Sequence, residues 1–216
     1  MTEAESLPTP AVDGRTARRQ RTRAAIVDAL LDLVREGELK PTGAKIAARA
    51  QISQRALWAN FADLETLYQA TGRVLLDRHD ELAMDIPVDL PRAERIARFC
   101  AQRAELHELI SPFARANRLR EPFSAALRRN RRRYLDRIAA DIERVFDEEL
   151  RLAGPGRADR VAALVACASW SWWSILREDL AIDVERAVQL MELTVAGVLE
   201  TAAQVPISGP PGATPS

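Results

Sequence analysis

Two cap residues, Thr42 and Ser53, constrain this chain most, because they predict two short helices with a tight turn between them. Ser and Thr at a helix start accept hydrogen bonds from backbone N–H groups that otherwise lack partners. The first helix is predicted to run to about Ala50, and Gln51-Ile52 to form the turn. Two short helices joined in this way form a helix-turn-helix, whose second helix fits the major groove of DNA.

The stretch separates into apolar residues for a small core and polar residues for an outward face. The predicted core residues are Ile46, Ala47, Ala50, Ile52, Leu57 and Phe61. The residues predicted to face outward are Lys45, Gln54, Arg55, Trp58 and Asn60. Because Arg pairs with guanine and Gln with adenine, Gln54 and Arg55 are predicted to reach base edges. The alternative is that they touch only phosphate or solvent.

Positive charge is concentrated near the N-terminus, although the formal net charge of the chain is zero. Residues 15–61 hold ten basic and four acidic side chains, a difference of +6. Five of the basic residues open the first predicted helix: Arg15, Arg18, Arg19, Arg21 and Arg23. Positive charge there opposes the helix dipole, so this arm is predicted to meet the DNA backbone or minor groove. A solvated helix start is the alternative.

Residues 42–68 resemble the TetR-type transcriptional regulators. The resemblance is carried by Thr42, Ile46-Ala47, Ser53, Trp58, Phe61 and Asp63-Leu64-Glu65-Thr66-Leu67, where Asp63 is predicted to cap a third helix. Three positions depart from the family pattern. Gln51 replaces the turn glycine, Trp58 replaces the usual tyrosine, and Leu64 replaces a lysine that contacts phosphate.

The motif and the resemblance together predict a set of DNA-binding residues. They are Arg18, Arg19, Thr42, Lys45, Ser53, Gln54, Arg55, Trp58 and Asn60. Trp58 matches the family aromatic that touches phosphate through its polar edge, and an indole N–H can donate in this way. The alternative for Trp58 is a place in the core.

The chain is predicted to be all-α, because period-2 alternation is absent and helical periodicity recurs. The predicted organisation is a disordered tail at 1–14, a helix-turn-helix domain at 15–62, a connecting helix at 63–86, an effector-binding and dimerisation domain at 87–205, and a disordered tail at 206–216. The predicted helices outside the motif are 16–36, 63–84, 92–110, 113–119, 122–153, 158–177 and 184–203. Pro112 is expected to separate two of them, and Asp183 to cap the last.

The last two predicted helices are unusually apolar, which indicates more than one packing partner. In TetR-type regulators these helices pair with those of a second subunit as a four-helix bundle, so the resemblance implies a homodimer. Val195 and Val198 are predicted to lie at its interface.

The resemblance also implies an effector pocket among the helices of the second domain. Large apolar side chains and a few polar ones are its candidate lining, although each alone is more often part of a core. The predicted ligand-binding residues are Phe99, Arg103, His107, Phe113, Asn117, Trp170 and Trp173.

Several other classes of function are disfavoured by the sequence. Cys100 and Cys167 are predicted to be core residues, and the two histidines, His79 and His107, are assigned to different domains, so no metal site is expected. Neither a glycine-rich phosphate loop nor a nucleophile–His–acid set is present, so no catalytic residue and no cofactor are expected. The arginines between Arg128 and Arg133 are predicted to form a solvated face.

The start of the chain lacks the pattern of a signal peptide, and no apolar run reaches ~18 residues, so a cytoplasmic location without a membrane contact is expected. The expected function is a ligand-responsive repressor, released from a pseudo-palindromic operator by a small, largely apolar effector. The alternative is a helical dimer whose DNA-binding face has decayed, as Leu64 suggests, and which binds a partner or sequesters a ligand.

Overall fold

The computed structural model describes residues 14–82 and 85–200. Within them the chain forms ten α-helices and no β-strand, which confirms the all-α prediction. The helices are α1 (Gly14–Arg35), α2 (Gly43–Arg49), α3 (Gln54–Asn60), α4 (Leu64–Leu82), α5 (Arg92–Arg118), α6 (Ala125–Val145), α7 (Asp147–Leu152), α8 (Arg157–Cys167), α9 (Trp170–Ser174) and α10 (Val184–Glu200). The tails at 1–13 and 206–216 lie outside the described residues.

The chain divides into two compact units, Met1–Thr71 and Gly72–Ser216. The boundary falls inside α4, so this helix contributes residues to both units.

The first unit packs α1, α2 and α3 around one small core. The stripe predicted on α1 is buried there, and Ile46, Ala47, Leu57 and Phe61 close the core from the other helices. Ala50 and Ile52, predicted as core, are only half-buried. The apolar period of α1 therefore predicts its buried face correctly, whereas the turn residues stay near the surface.

Two helices of the first unit end in the same hydrogen-bonded turn. Gly37, with φ of 93°, follows α1, and Gln51, with φ of 55°, follows α2. After α2, the Gln51 N–H donates to the Ala48 carbonyl at 3.1 Å and the Ile52 N–H to the Ala47 carbonyl at 3.0 Å. This is the Schellman pattern, whose left-handed residue is usually glycine. Gln51 thus adopts the backbone conformation of the glycine that it replaces.

Gln51→Gly is expected to raise the free energy of unfolding by about 1 kcal/mol, because glycine adopts a positive φ without the Cβ penalty. Urea unfolding followed by circular dichroism measures the change. Ala59→Gly is the matched control, since it places glycine at an exposed position inside α3 and should lower stability by about 1 kcal/mol. Equal losses in the two variants would contradict the role assigned to the Gln51 conformation.

The second unit is organised around α5, which packs against α9 and α10, while α8 packs against both α6 and α10. Its core contains Phe99, Phe146 and Trp173, and the rings of Phe99 and Phe146 meet edge to face at 5.5 Å between centroids. On α4, Gly72 lies so close to Asn130 of α6 that a Cβ would come within 2.1 Å of the Asn130 side chain.

The expectation that Pro112 separates two helices is wrong. Pro112 lies inside the continuous helix α5. The Ser111 hydroxyl donates to the His107 carbonyl at 2.7 Å and accepts from the Trp170 indole N–H at 2.9 Å. Side chains on both sides of the proline are buried, so tertiary packing outweighs the loss of one backbone hydrogen bond.

The single helix predicted for 122–153 is divided at Phe146 into α6 and α7, after a short 3₁₀ turn at Glu121–Phe123. Phe146 leaves the helical conformation, with φ of −119° and ψ of 26°. The Val145 carbonyl is freed by this change and accepts from the Arg95 guanidinium at 2.5 Å. Arg95 also pairs with the buried Glu149 carboxylate at 2.5 Å, so one arginine of α5 holds both sides of the break.

The helix predicted for 158–177 is also divided. α8 ends at Cys167, and Ser169 caps α9, its hydroxyl accepting from the Trp172 N–H at 3.5 Å. A π-helical turn at Ile175–Asp179 follows. The break lets Trp170 and Trp173 both turn inward and become buried, whereas Trp172 is only half-buried.

Candidate functional site

The predicted caps of the helix-turn-helix are confirmed. The Thr42 hydroxyl accepts from the Lys45 N–H at 3.3 Å, and the Ser53 hydroxyl accepts from the Ala56 N–H at 3.1 Å. The Asp63 carboxylate accepts from the Thr66 N–H at 2.8 Å, so α4 begins at a capped position as well. A serine or threonine hydroxyl that accepts in a cap still has its own hydrogen to donate.

The outward face of α3 carries Gln54, Arg55 and Trp58, all of which are exposed. Trp58 is 39% exposed, and the rest of its ring lies on Gly43 at the start of α2. A Cβ at position 43 would come within 2.5 Å of Trp58 Cζ2, so only glycine leaves room for the indole in this position. Trp58 therefore joins the two helices and also presents an edge to solvent.

Two further predicted DNA-binding residues have partners within the protein. Lys45 forms an ion pair with Glu38. Asn60 is half-buried, and its amide donates to the Ala56 carbonyl at 2.9 Å. The expectation that Asn60 faces freely outward is therefore wrong, because the last turn of α3 occupies its side chain.

The arginines of the basic arm on α1 have two different environments. Arg18, Arg19 and Arg21 are exposed. Arg23 instead donates to the Asn60 carbonyl, and its Cζ lies 4.0 Å from the centroid of the Phe61 ring. Arg23 thus attaches α1 to the end of α3, while the exposed arginines leave a positive surface along the start of α1.

A buried polar cluster lies in the second unit, centred on Arg103 of α5. Its Nη2 lies 2.9 Å from Asp141 Oδ2 of α6 and 3.0 Å from His79 Nε2 of α4. Because arginine only donates, His79 Nε2 accepts, which requires a neutral ring with its proton on Nδ1. Burial, together with the nearby charge of Arg103, lowers the pKa of His79 and is consistent with that neutral form.

A second histidine belongs to the same cluster. Tyr134 Oη of α6 lies 3.2 Å from His107 Nδ1, and the His107 ring lies 5.5 Å from the Trp173 ring. Burial and, after it, the charge of Arg103 lower the pKa of His107 to about 3. Burial also raises the pKa of Tyr134 to about 12. Both side chains are therefore neutral near pH 7.

The structure brings some predicted ligand-binding residues together and separates others. Arg103 Cζ lies 5.6 Å from the Phe99 ring centroid, and His107 lies beside Trp173, so these four residues are neighbours. Trp170 is buried nearby and donates to Ser111. Further along α5, Phe113 is buried and Asn117 is half-buried.

Three members of the cluster, His79, Tyr134 and Asp141, were missed as candidate site residues. His79 and His107 were assigned to different domains, yet both lie in one unit and contact one cluster. The signal that could have linked them is chemical: a guanidinium only donates, so a buried Arg103 requires acceptors nearby, such as a carboxylate or an unprotonated histidine nitrogen.

Other side chains behave as predicted. Cys100 and Cys167 are buried free thiols in the core, where burial raises the pKa of each. The five arginines between Arg128 and Arg133 are exposed, as expected of a solvated face. Among residues 14–82 and 85–200, no helix combines the length and the apolar character needed to cross a bilayer.

Comparison with known proteins supports the fold. No protein-family model matches the chain, and no curated protein matches it in sequence. The structure is similar to that of a transcriptional regulator from Rhodococcus sp. Rha1, with a TM-score of 0.63 and 19% identity. The match covers 87% of this chain and 99% of that one. At this identity the likeness shows a shared fold over nearly the whole length of that protein.

Proposed function

We propose that this protein is a TetR-type transcriptional regulator that binds operator DNA as a homodimer and responds to a small molecule. The observation that carries the proposal is the exposed face of α3, where Gln54, Arg55 and Trp58 project from a correctly capped helix-turn-helix beside exposed arginines of α1. The structural likeness to a protein named as a transcriptional regulator supports the same class of function.

The residues of this face have different roles in the proposed complex. Arg55 reads a base edge, because its guanidinium is exposed near the start of α3, the part of a recognition helix that enters the major groove. Trp58 donates its indole N–H to phosphate, and Arg18 and Arg19 add contacts to the backbone. Thr42 and Ser53 can donate their hydroxyl hydrogens to phosphate while they cap their helices.

Arg55→Ala is expected to cost about 1–3 kcal/mol on the preferred DNA sequence and to relax the preference at one base pair. Trp58→Phe should weaken all sequences alike, because it removes the indole donor and keeps an aromatic ring on Gly43. Fluorescence anisotropy with labelled DNA from upstream of the protein's own gene, together with a set of single-base variants, measures both effects.

Arg35→Ala is the matched control for these variants, because Arg35 belongs to the same unit but lies at the far end of α1 beside Asp32. It should keep the wild-type sequence preference. Equal changes of preference in the Arg55 and Trp58 variants would show that the two roles are wrongly divided.

The proposed response to a ligand depends on α4. This helix begins directly after the helix-turn-helix and ends among the residues of the second unit, where Asp80 pairs with Arg137 at 2.6 Å. A ligand bound in the second unit that favours one position of α4 over another changes DNA affinity, and by linkage DNA changes ligand affinity by the same factor.

One feature favours the alternative function, a dimer that sequesters a ligand without binding DNA. Leu64, at the start of α4, is half-buried and cannot supply the phosphate contact of the lysine expected in this family. The anisotropy titration separates the two functions. Binding that weakens with salt and prefers one sequence supports the regulator, whereas an absence of binding at low salt supports the alternative.

A further inference from the structure

The guanidinium of Arg103 has more hydrogen-bond donors than partners. The side chain is 0% exposed. Nη2 contacts Asp141 and His79, but Nε and Nη1 are buried without a hydrogen-bond partner among the residues that the structure describes. An arginine carries five N–H donors, and a buried donor on a charged group is costly when it has no acceptor. These two nitrogens therefore define a place for an acceptor that the chain itself does not provide.

The charge of Arg103 is also incompletely balanced. Among the described residues its anionic partner is Asp141, which is 22% exposed and also lies 3.9 Å from Arg144, an arginine that pairs more closely with Asp85. His79, Tyr134 and His107 are neutral near pH 7. A second negative charge close to Nε or Nη1 would stabilise the buried cation, as buried charges are normally paired and fully hydrogen-bonded.

The surroundings of the guanidinium restrict what kind of anion fits. Phe99 faces it at 5.6 Å from Cζ to the ring centroid, and the cluster continues through Tyr134 to His107 and Trp173. Aromatic neighbours of this kind favour a ligand with an apolar body. A monoanion is favoured over a dianionic phosphate, because Arg103 is a single cation that already faces Asp141, and each further negative charge is repelled by that carboxylate.

We infer that Arg103 binds the carboxylate of a small monocarboxylic acid with an apolar aromatic or aliphatic body, and that this acid is the effector. The assignment of a carboxylate to Arg103 depends only on the buried cluster. Its role as effector rests on the proposed function. A carboxylate refines the expectation of a largely apolar ligand by giving it one charged end.

The cluster also connects such a ligand to α4. The nitrogen of Arg103 that contacts Asp141 is the same one that donates to His79 of α4. A carboxylate that draws the guanidinium toward itself weakens the contact with His79. The contacts that then remain on the second half of α4 include the Asp80–Arg137 ion pair, the edge-to-face contact of His79 with Tyr134, and the close approach of Gly72 to Asn130.

The test uses the full-length protein and a panel of acids, each compared with its own neutral amide. The probes are benzoate, phenylacetate, hexanoate and octanoate, with benzamide, phenylacetamide, hexanamide and octanamide. Sodium chloride keeps the ionic strength constant, so that a general effect of salt is excluded. Binding is followed in the absence of DNA by tryptophan fluorescence, since Trp173 lies beside His107, and by the thermal unfolding midpoint.

At least one acid is expected to bind about 10- to 100-fold more tightly than its amide, the range for hydrogen bonds to a charged group. Arg103→Met should abolish this preference, and Arg103→Lys should retain part of it because the charge remains. Arg98→Gln is the matched control, since it removes an exposed arginine of α5 that pairs with Glu94 outside the cluster, and it should leave the preference unchanged.

The unmodified protein alone can overturn the inference. If no acid in the panel binds more tightly than its amide, Arg103 has only a structural role and the inference is wrong, whether or not Arg103→Met folds. The same conclusion follows if Arg103→Met folds and keeps the preference. If the protein prefers an acid but binds no DNA, the carboxylate site is supported. The proposed regulatory function is then refuted.

The link to α4 has its own readout. His79→Gln should leave the acid-over-amide preference intact while reducing the change in DNA affinity that the acid produces. If the acid changes DNA affinity equally in this variant and in the unmodified protein, His79 does not link the acid at Arg103 to α4.

Discussion

Leu193→Glu is expected to convert the protein from a dimer into folded monomers. Leu193 on α10 is 70% exposed in the single chain, so most of its large apolar side chain is uncovered there. On α8, which packs against α10, the exposed residues Ala162, Ala163 and Ala166 are small and apolar. A second copy of the chain would cover these residues, and a glutamate within that interface would be buried without a partner.

The expected loss is about 3 kcal/mol or more of dimerisation free energy, because two-fold symmetry places the unpaired charge in the interface twice. Sedimentation velocity at micromolar concentration measures the change in mass. A monomeric unmodified protein under these conditions would refute the dimer itself, and a dimeric Leu193→Glu would place the interface elsewhere.

Val195→Glu is the matched control, since it introduces the same charge on the same helix. Val195 is 0% exposed and lies in the core of the second unit beside Phe99 and Met191. This variant should therefore lose its fold rather than only its partner. The expectation that Val195 lies at the dimer interface is wrong for this reason, whereas Val198 is half-buried.

Local rules predicted the parts of this fold that depend on a few neighbouring residues. The caps at Thr42, Ser53 and Asp63 follow from side chains that bond to the next turn, and each occurs as expected. Asp183 likewise caps the last helix, and its carboxylate accepts from the Arg186 N–H at 2.8 Å. In these cases the partner is three residues away, so no knowledge of the remaining chain is needed.

Long-range contacts explain where the predicted helices differ from the structure. Pro112 remains helical because Ser111 is held by Trp170, far away in the chain. The break at Phe146 is stabilised by Arg95, which supplies a donor for the freed Val145 carbonyl. In both places the deciding partner belongs to another helix, so helical periodicity alone could not reveal it.

The two candidate sites also differ in how far apart their residues lie in the sequence. The face of α3 could be predicted because its residues are close in sequence and share one side of a short helix. The buried cluster required the packing of α4, α5 and α6, which brings His79, Arg103 and Asp141 together from positions far apart in the chain. Arg103 and His107 were identified one by one, but their partners were not.

Acid is expected to destabilise this protein well above the pH at which most carboxylates titrate. The His107 ring is fully buried, with Tyr134, Trp173 and the charge of Arg103 around it, and the Ala168 carbonyl only partly offsets their effect. Its pKa is lowered from 6.5 to about 3. Below pH 6.5 the unfolded chain therefore binds a proton at this residue that the folded protein does not bind.

Because the unfolded state holds more protons, the free energy of unfolding falls as the pH decreases from 6.5 toward 3. At pH 4.5, two units below the ordinary pKa, His107 alone should account for about 2 to 3 kcal/mol of lost stability. His79 acts in the same direction, since its pKa is also lowered by burial.

Urea unfolding of the unmodified protein and of His107→Gln at pH 7 and pH 4.5, followed by circular dichroism at one protein concentration, measures this effect. Glutamine cannot titrate, and its amide can still bond to the Tyr134 hydroxyl. Any constant cost of the substitution cancels in the difference between the two pH values, as do the carboxylates common to both proteins. The unmodified protein should lose about 2 to 3 kcal/mol more than the variant. Equal losses would mean that folding leaves the pKa of His107 near its ordinary value, so that the buried ring is protonated in the folded protein at pH 4.5.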